Sequence, residues 1–123
     1  MGGKTKAPPR GATIGLSPSN LALTVAFYDA VFGAIGVSPV DEDDCRAWGD
    51  MLLVRRVPLD SPTTGADVFL EARAEAEIDA VVNALKDAGF SLSFDSGSSG
   101  EHRMAWVTFP DPDGNRVWVT VTA

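Results

Sequence analysis

An α+β fold built from two βαβββ modules is what the sequence predicts, on three observations. The same order of elements is written twice, at a spacing of roughly 55 residues. A run containing Pro, Ser, Thr and Gly, from Pro58 to Gly65, separates the two copies. Near the end of the first copy, Gly49-Asp50-Met51-Leu52-Leu53 is echoed by Gly114-Asn115-Arg116-Val117-Trp118 near the end of the second.

Each element has its own warrant. Ala12-Thr13-Ile14-Gly15-Leu16 alternates as a strand should. Ser17-Pro18-Ser19-Asn20 then breaks the chain, and Ser19 or Asn20 is placed to cap a helix by accepting a backbone N–H. That helix is expected to run through Phe32 and to stop at Gly33 and Gly36. Val37 to Asp41, Arg46 to Trp48 and Met51 to Val57 are the next three strands. The second copy opens with the strand Asp67-Val68-Phe69-Leu70-Glu71. Ile78, Val81, Val82 and Leu85 then share one helical face. Glu75, Glu77 and Asp79 suit the positive end of its dipole, and Gly89 supplies the stop. Strands are expected at Phe90 to Phe94, His102 to Phe109 and Asn115 to Thr122, with loops at Ser96–Gly100 and Asp111–Gly114.

Composition bounds the function. A chain of 123 residues can bury a core without a disulfide scaffold or metal staple. Ten Lys and Arg against seventeen Asp and Glu give a net charge of −7. The basic stripe that neutralises phosphates is missing, so no nucleic acid and no anionic membrane surface is expected as a partner. No apolar run reaches the length of a membrane-spanning helix. Residues 1–62 carry six basic and seven acidic groups, while residues 63–123 carry four and ten, so the second module holds most of the charge. Residues 1–10 read as a flexible N-terminal arm, ahead of a single domain at 11–123 with module one at 11–60 and module two at 66–122. The arm is followed by no apolar stretch of the kind a secretory signal needs. The single cysteine, Cys45, cannot form an internal disulfide. These two features together suggest a cytoplasmic protein. Cys45 follows the acidic run Asp41-Glu42-Asp43-Asp44, a setting that disfavours a reactive thiolate, so it reads as a core filler.

Three stretches resemble the vicinal oxygen chelate superfamily, the glyoxalase, bleomycin-resistance and extradiol-dioxygenase group. Ser19-Asn20-Leu21 with Ala26-Phe27-Tyr28-Asp29-Ala30-Val31-Phe32-Gly33 resembles the opening of its first module. Gly65-Ala66-Asp67-Val68-Phe69-Leu70, leading to Ala88-Gly89-Phe90, resembles the start of its second. Asp111-Pro112-Asp113-Gly114-Asn115 is similar to the turn before its last strand. The resemblance covers roughly residues 11–121. It implies one curled mixed sheet, a cup holding a ligand, with the helices outside. In many members it also implies a divalent metal held by His on the first strand and Glu on the last strand of a module.

Carried over position by position, those four ligand sites fall on Thr13, Leu53, Asp67 and Trp118. Only Asp67 has a good donor, and a catalytic ion needs several oxygen or imidazole donors converging on one point. No metal and no cofactor is therefore expected. Strand alternation then sorts the cup face. Arg116, Trp118 and Thr120 share it on the last strand, Met51, Leu53 and Arg55 on the fourth, Thr13, Gly15 and Ser17 on the first, and Asp67, Phe69 and Glu71 on the fifth. Trp48 and Trp106 are added as candidate aromatic walls, the direction of Trp106 being left open. The candidate ligand-binding residues are thus Thr13, Trp48, Leu53, Arg55, Asp67, Phe69, Trp106 and Trp118. Each also has a structural role open to it. Trp118 could close the cup, Arg55 could pair with Asp67, and Arg46, Trp48 and Arg56 could lie on the rim. His102 reads as a loop residue, and Ser96–Gly100 as a flexible loop without the helix and Lys of a phosphate loop.

The function expected is a metal-free small-molecule-binding protein that sequesters or senses its ligand. The bleomycin-resistance branch, with an acidic dimer around a cationic or aromatic ligand, is the pattern this follows. The alternative is a metal-dependent lyase, isomerase or dioxygenase of the same superfamily, with ligands drawn from Asp67, Glu71, Glu101 or His102. A third is a closed cup acting only through its dimer surface. A homodimer is expected from the first helix, whose stripes Leu23-Phe27-Val31 and Leu21-Val25-Tyr28-Phe32 make it apolar on nearly opposite sides. One side would meet its own sheet and the other a second subunit.

Overall fold

The computed structural model describes residues 14–42, 45–49, 52–55, 62–101 and 104–122. In chain order the elements are β1 (Ile14–Leu16), α1 (Leu21–Ala34), β2 (Pro39–Asp41), β3 (Cys45–Trp48), β4 (Leu52–Arg55), β5 (Asp67–Glu71), α2 (Glu75–Asp87), β6 (Asp95–Ser99), β7 (Met104–Pro110) and β8 (Arg116–Thr122). Both modules therefore have the order βαβββ. Each forms its own four-stranded mixed sheet, β1-β4-β3-β2 and β5-β8-β7-β6. In both, the first and last strands pair in parallel and the remaining pairs are antiparallel. Among the described residues the strands form these two sheets and not one continuous curl.

Local chemistry explains most boundaries. Asn20 caps α1 through its side-chain oxygen, which accepts the Leu23 N–H at 3.0 Å. The helix passes through Gly33 and ends instead at Gly36, whose φ of 80° lets the Val37 N–H return to the Phe32 carbonyl at 2.9 Å. The second strand of module two is not where alternation placed it. Phe90, Leu92 and Phe94 lie outside any strand, with the Phe90 N–H bonded back to the Leu85 carbonyl at 3.0 Å; their side chains pack on the core, and the Ser/Gly run beyond them is β6. Apolar alternation marked burial of these residues, not ladder pairing. Gly97 supports β6 because its missing side chain makes room for Trp106 on β7.

Around Phe27, Tyr28, Val31 and Phe32 α1 is covered by its own chain on both sides, whereas Leu23 near its start is 44% exposed. Tyr28 and Phe32 meet Trp48 of the first sheet, with the Phe32 and Trp48 rings stacked 5.4 Å apart at 8°. Phe27 meets Phe90 at 5.3 Å and Phe109 of the second sheet at 5.8 Å. α2 packs beside α1 and covers β7 and β8. The apolar circumference of α1 was therefore a sign of a helix lying between two sheets. Trp48, Phe27, Phe32, Phe109, Val117 and Leu85 belong to one continuous core.

A buried carboxylate ties the modules together. Asp111 accepts from the Tyr28 hydroxyl at 2.7 Å, from the Asp113 and Asn115 backbone N–H groups at 2.8 and 2.9 Å, and from Asn115 Nδ2 at 3.0 Å. Asn115, also buried, accepts the Ala66 N–H at 2.9 Å and donates to the Thr63 carbonyl at 2.9 Å. Thr63 in turn bonds both ways with the Ser17 backbone. Asp113 receives hydrogen bonds from Ser19 N and Ser19 Oγ at the start of α1.

Burial first, then the charge of Asp111 and the hydrogen bond to it, hold the Tyr28 hydroxyl protonated far above the ordinary tyrosine range. The unfolded chain loses that proton near pH 10. The fold retains it, so this stabilisation is complete below about pH 10 and declines as pH rises beyond it. Tyr28→Phe should cost about 1–3 kcal/mol, since it leaves a buried carboxylate short of a donor. In urea unfolding we expect a lower midpoint at unchanged slope at pH 7, and a flatter loss of stability above about pH 10 than in the parent. Equal midpoints would contradict this role.

Candidate functional site

The face of the second sheet turned away from the helices carries the candidate site. Val68 and Leu70 of β5, Val107 and Phe109 of β7, and Val117, Val119 and Val121 of β8 are buried toward the helices. The period of two therefore places Asp67, Phe69 and Glu71, Trp106 and Thr108, and Arg116, Trp118 and Thr120 on the outer face. Register aligns them in rows across the strands. Asp67 stands beside Arg116, Phe69 beside Trp118 and Trp118 beside Thr108, while Glu71 stands beside Thr120 and Thr120 beside Trp106.

Phe69 and Trp118 stack across β5 and β8, with ring centroids 5.9 Å apart and planes 15° apart. Phe69 is 61% exposed although it is a large apolar side chain. Trp118 is half-buried and donates its indole N–H to Asp67 Oδ1 at 3.1 Å. Trp106 is also on this face, since its neighbour Val107 is the buried one. Its indole lies against Gly97, where an added Cβ would come within 2.4 Å of the ring. Arg116 directs its guanidinium to Thr108 Oγ1 at 3.5 Å, and Thr108 donates to the Val117 carbonyl at 2.8 Å.

Other sequence-predicted residues lie elsewhere. Thr13, Met51, Arg56, His102 and the Asp43-Asp44 pair are outside the described residues. Leu53 and Arg55 are placed as backbone only, Leu53 in register with Gly15 and Ala47, Arg55 with Cys45. Trp48 is corrected from cup wall, or rim, to core. It is fully buried among Tyr28 and Phe32, and its indole N–H donates to Asp29 Oδ1 at 3.0 Å. It shares the face of Arg46, which is likewise not a free rim residue because Asp29 and Asp41 hold its guanidinium. Sequence reasoning missed this Asp29–Arg46–Asp41 cluster, and the period of two within Arg46-Ala47-Trp48 was the available signal for it.

A metal does not fit the donor set at the four carried-over positions. Leucine and the indole of tryptophan offer no lone pair, and Asp67 already accepts a hydrogen bond from Trp118. Among the described residues, no three His, Cys, Asp or Glu side chains converge. A cavity of about 460 Å³ opens at the far end of the sheet, between Arg73–Glu75, Ser98–Gly100 and the ends of β7 and β8. None of the predicted site residues lines it. It lacks the aromatic groups of the outer face, which therefore has the stronger chemistry despite being open.

The family model for the Glyoxalase/Bleomycin resistance protein/Dioxygenase superfamily matches residues 12–119. No curated protein matches the chain. Among solved structures, a glyoxalase/bleomycin resistance protein from Albidiferax ferrireducens T118 is similar with a TM-score of 0.71 and 18% identity, over 89% of this chain and 95% of that one. A glyoxalase-related enzyme from Fulvimarina pelagi gives 0.67 and 21%, over 92% and 88%. A lactoylglutathione lyase from Agrobacterium tumefaciens gives 0.65 and 21%, over 94% and 96%. Likeness at these identities shows the fold.

The seat of Trp106 is testable without any ligand. Gly97→Ala should displace the indole and cost about 1–3 kcal/mol by overpacking. With 5-fluorotryptophan incorporated, one of three ¹⁹F resonances should move, the one that Trp106→Phe removes. Three unmoved resonances would contradict the contact.

Proposed function

From the premise that this chain belongs to the glyoxalase/bleomycin resistance protein/dioxygenase superfamily, we propose that it is a metal-free binding protein for a small organic molecule, held on the outer face of the second sheet. The observation that carries the reading is the exposed Phe69–Trp118 stack beside Asp67. At the position where a superfamily metal site would need a carboxylate stands an indole, and the one remaining carboxylate is bonded to it. Aromatic surface with a few fixed polar groups is how small-molecule sites are usually built. Asp67, Glu71 and Arg116 supply those groups, while Phe69, Trp106 and Trp118 supply apolar contact.

The mechanism is sequestration or sensing. Binding requires that the ligand cover Phe69 and Trp118 and satisfy the carboxylates at the edges of the face. No bond is made or broken. The protein acts as a homodimer, since the face is too open in one chain to enclose a ligand.

A thermal-shift screen with a varied panel of small organic molecules tests the reading. A true ligand at about 100 times its Kd should stabilise the protein by roughly 2.7 kcal/mol. Trp118→Ala, at a half-exposed position, should leave the unliganded fold nearly as stable while abolishing that gain. Ligands that stabilise Trp118→Ala and the parent equally would contradict the site.

A further inference from the structure

On the helix side of the second sheet, opposite the aromatic face, we infer a second and separate binding site. The cavity of about 460 Å³ at the start of α2 takes a neutral, mainly apolar molecule that carries a hydroxyl or carbonyl group. Register explains why there is space. Val107, Val119 and Leu70 form one inward row across β7, β8 and β5, and all three are buried toward the helices. The next row toward the end of the sheet is Ser98, Ala105 and Val121. Here Ala105 takes the place that Val107 fills one row earlier, and α2 begins only at Glu75, after the small cap residue Ala74. The volume that these alanines leave unfilled is the cavity, and its size suits a small organic molecule.

The lining selects the class of ligand. Ala105 and Val121 give an apolar floor, with Met104, an adaptable side chain, beside them. Ser98 adds a hydroxyl that can donate or accept, turned by register to the same side as Ala105. The roof opposes ions of either sign. Arg73 is already engaged, its Nε and Nη2 donating to Glu77 at 3.1 and 2.6 Å and Nη2 also to the Ile35 carbonyl at 3.2 Å. An anion would therefore meet the exposed carboxylate of Glu75 without a free guanidinium to offset it. A cation would meet the positive end of α2, where Ala74 makes no side-chain cap. A neutral molecule meets neither penalty, and it can bury its apolar part on Ala105 and Val121 while bonding Ser98.

Amide NMR of ¹⁵N-labelled protein tests this at neutral pH with three probes of one shape and different charge. They are 2-naphthol, 2-naphthoate and 2-naphthylmethylammonium. With 2-naphthol up to millimolar concentration we expect saturable shifts at Ala74, Ser98 and Gly100. The same shifts should persist in Trp118→Ala, which separates this site from the aromatic face, and disappear in Ala105→Leu, which fills the space. The two charged probes should leave these amides unmoved at matched concentration. If Ala105→Leu impairs folding, Ser98→Leu, at an exposed position on the edge strand β6, takes its place. Four results would overturn the inference: no shift at these amides with 2-naphthol, shifts that Trp118→Ala removes, shifts that survive in the filled variant, or a charged probe moving them as far as 2-naphthol does.

Discussion

The arrangement of the whole chain depends on the buried carboxylate of Asp111. One acceptor group takes a hydroxyl from α1 in module one and three N–H groups from its own turn in module two. A charge removed from water is tolerated only when its acceptor sites are filled, so the turn and the helix are each needed by the other. Asn115 extends the tie to the connection at Thr63 and Ala66, between the two sheets. The result fixes α1 against the second module, and with it the faces of both sheets that are left for other uses.

Much of this was legible in the sequence, for reasons that differ by element. The faces of β5 and β8 followed directly from alternation, because a period of two assigns every side chain once one is placed. Val68, Leu70, Val117 and Val119 are buried, and Asp67, Phe69, Trp118 and Thr120 are opposite. The same rule would have placed Trp48 with Arg46, but nothing in the sequence says which face of that short strand meets the helix. α1 was readable as apolar all round, yet periodicity cannot name what covers a helix. The cover is Phe90 and Phe109, distant in sequence.

The polar ties were the least legible. Asp111-Pro112-Asp113-Gly114-Asn115 reads locally as a turn, which it is, with Asp111 bonding two following N–H groups. Its partnership with Tyr28 spans 83 positions and leaves no local signature. Likewise β6 is written in Ser and Gly, residues that argue for a loop. It becomes a strand only because β7 offers a ladder and Trp106 needs the empty side of Gly97. Long-range demands of this kind override local preference.

The fold belongs to a superfamily whose members include metal enzymes, and the residues at the corresponding positions decide whether this chain can share that chemistry. Thr13 and Leu53 bring no strong donor, Trp118 brings an indole, and Asp67 is bonded to that indole. The most direct measurement is inductively coupled plasma mass spectrometry of the protein after purification without a chelating column. We expect divalent metal far below one ion per chain after dialysis, unchanged by Asp67→Asn. One nickel, zinc, manganese or iron ion per chain, retained through dialysis and lost in Asp67→Asn, would contradict a metal-free site.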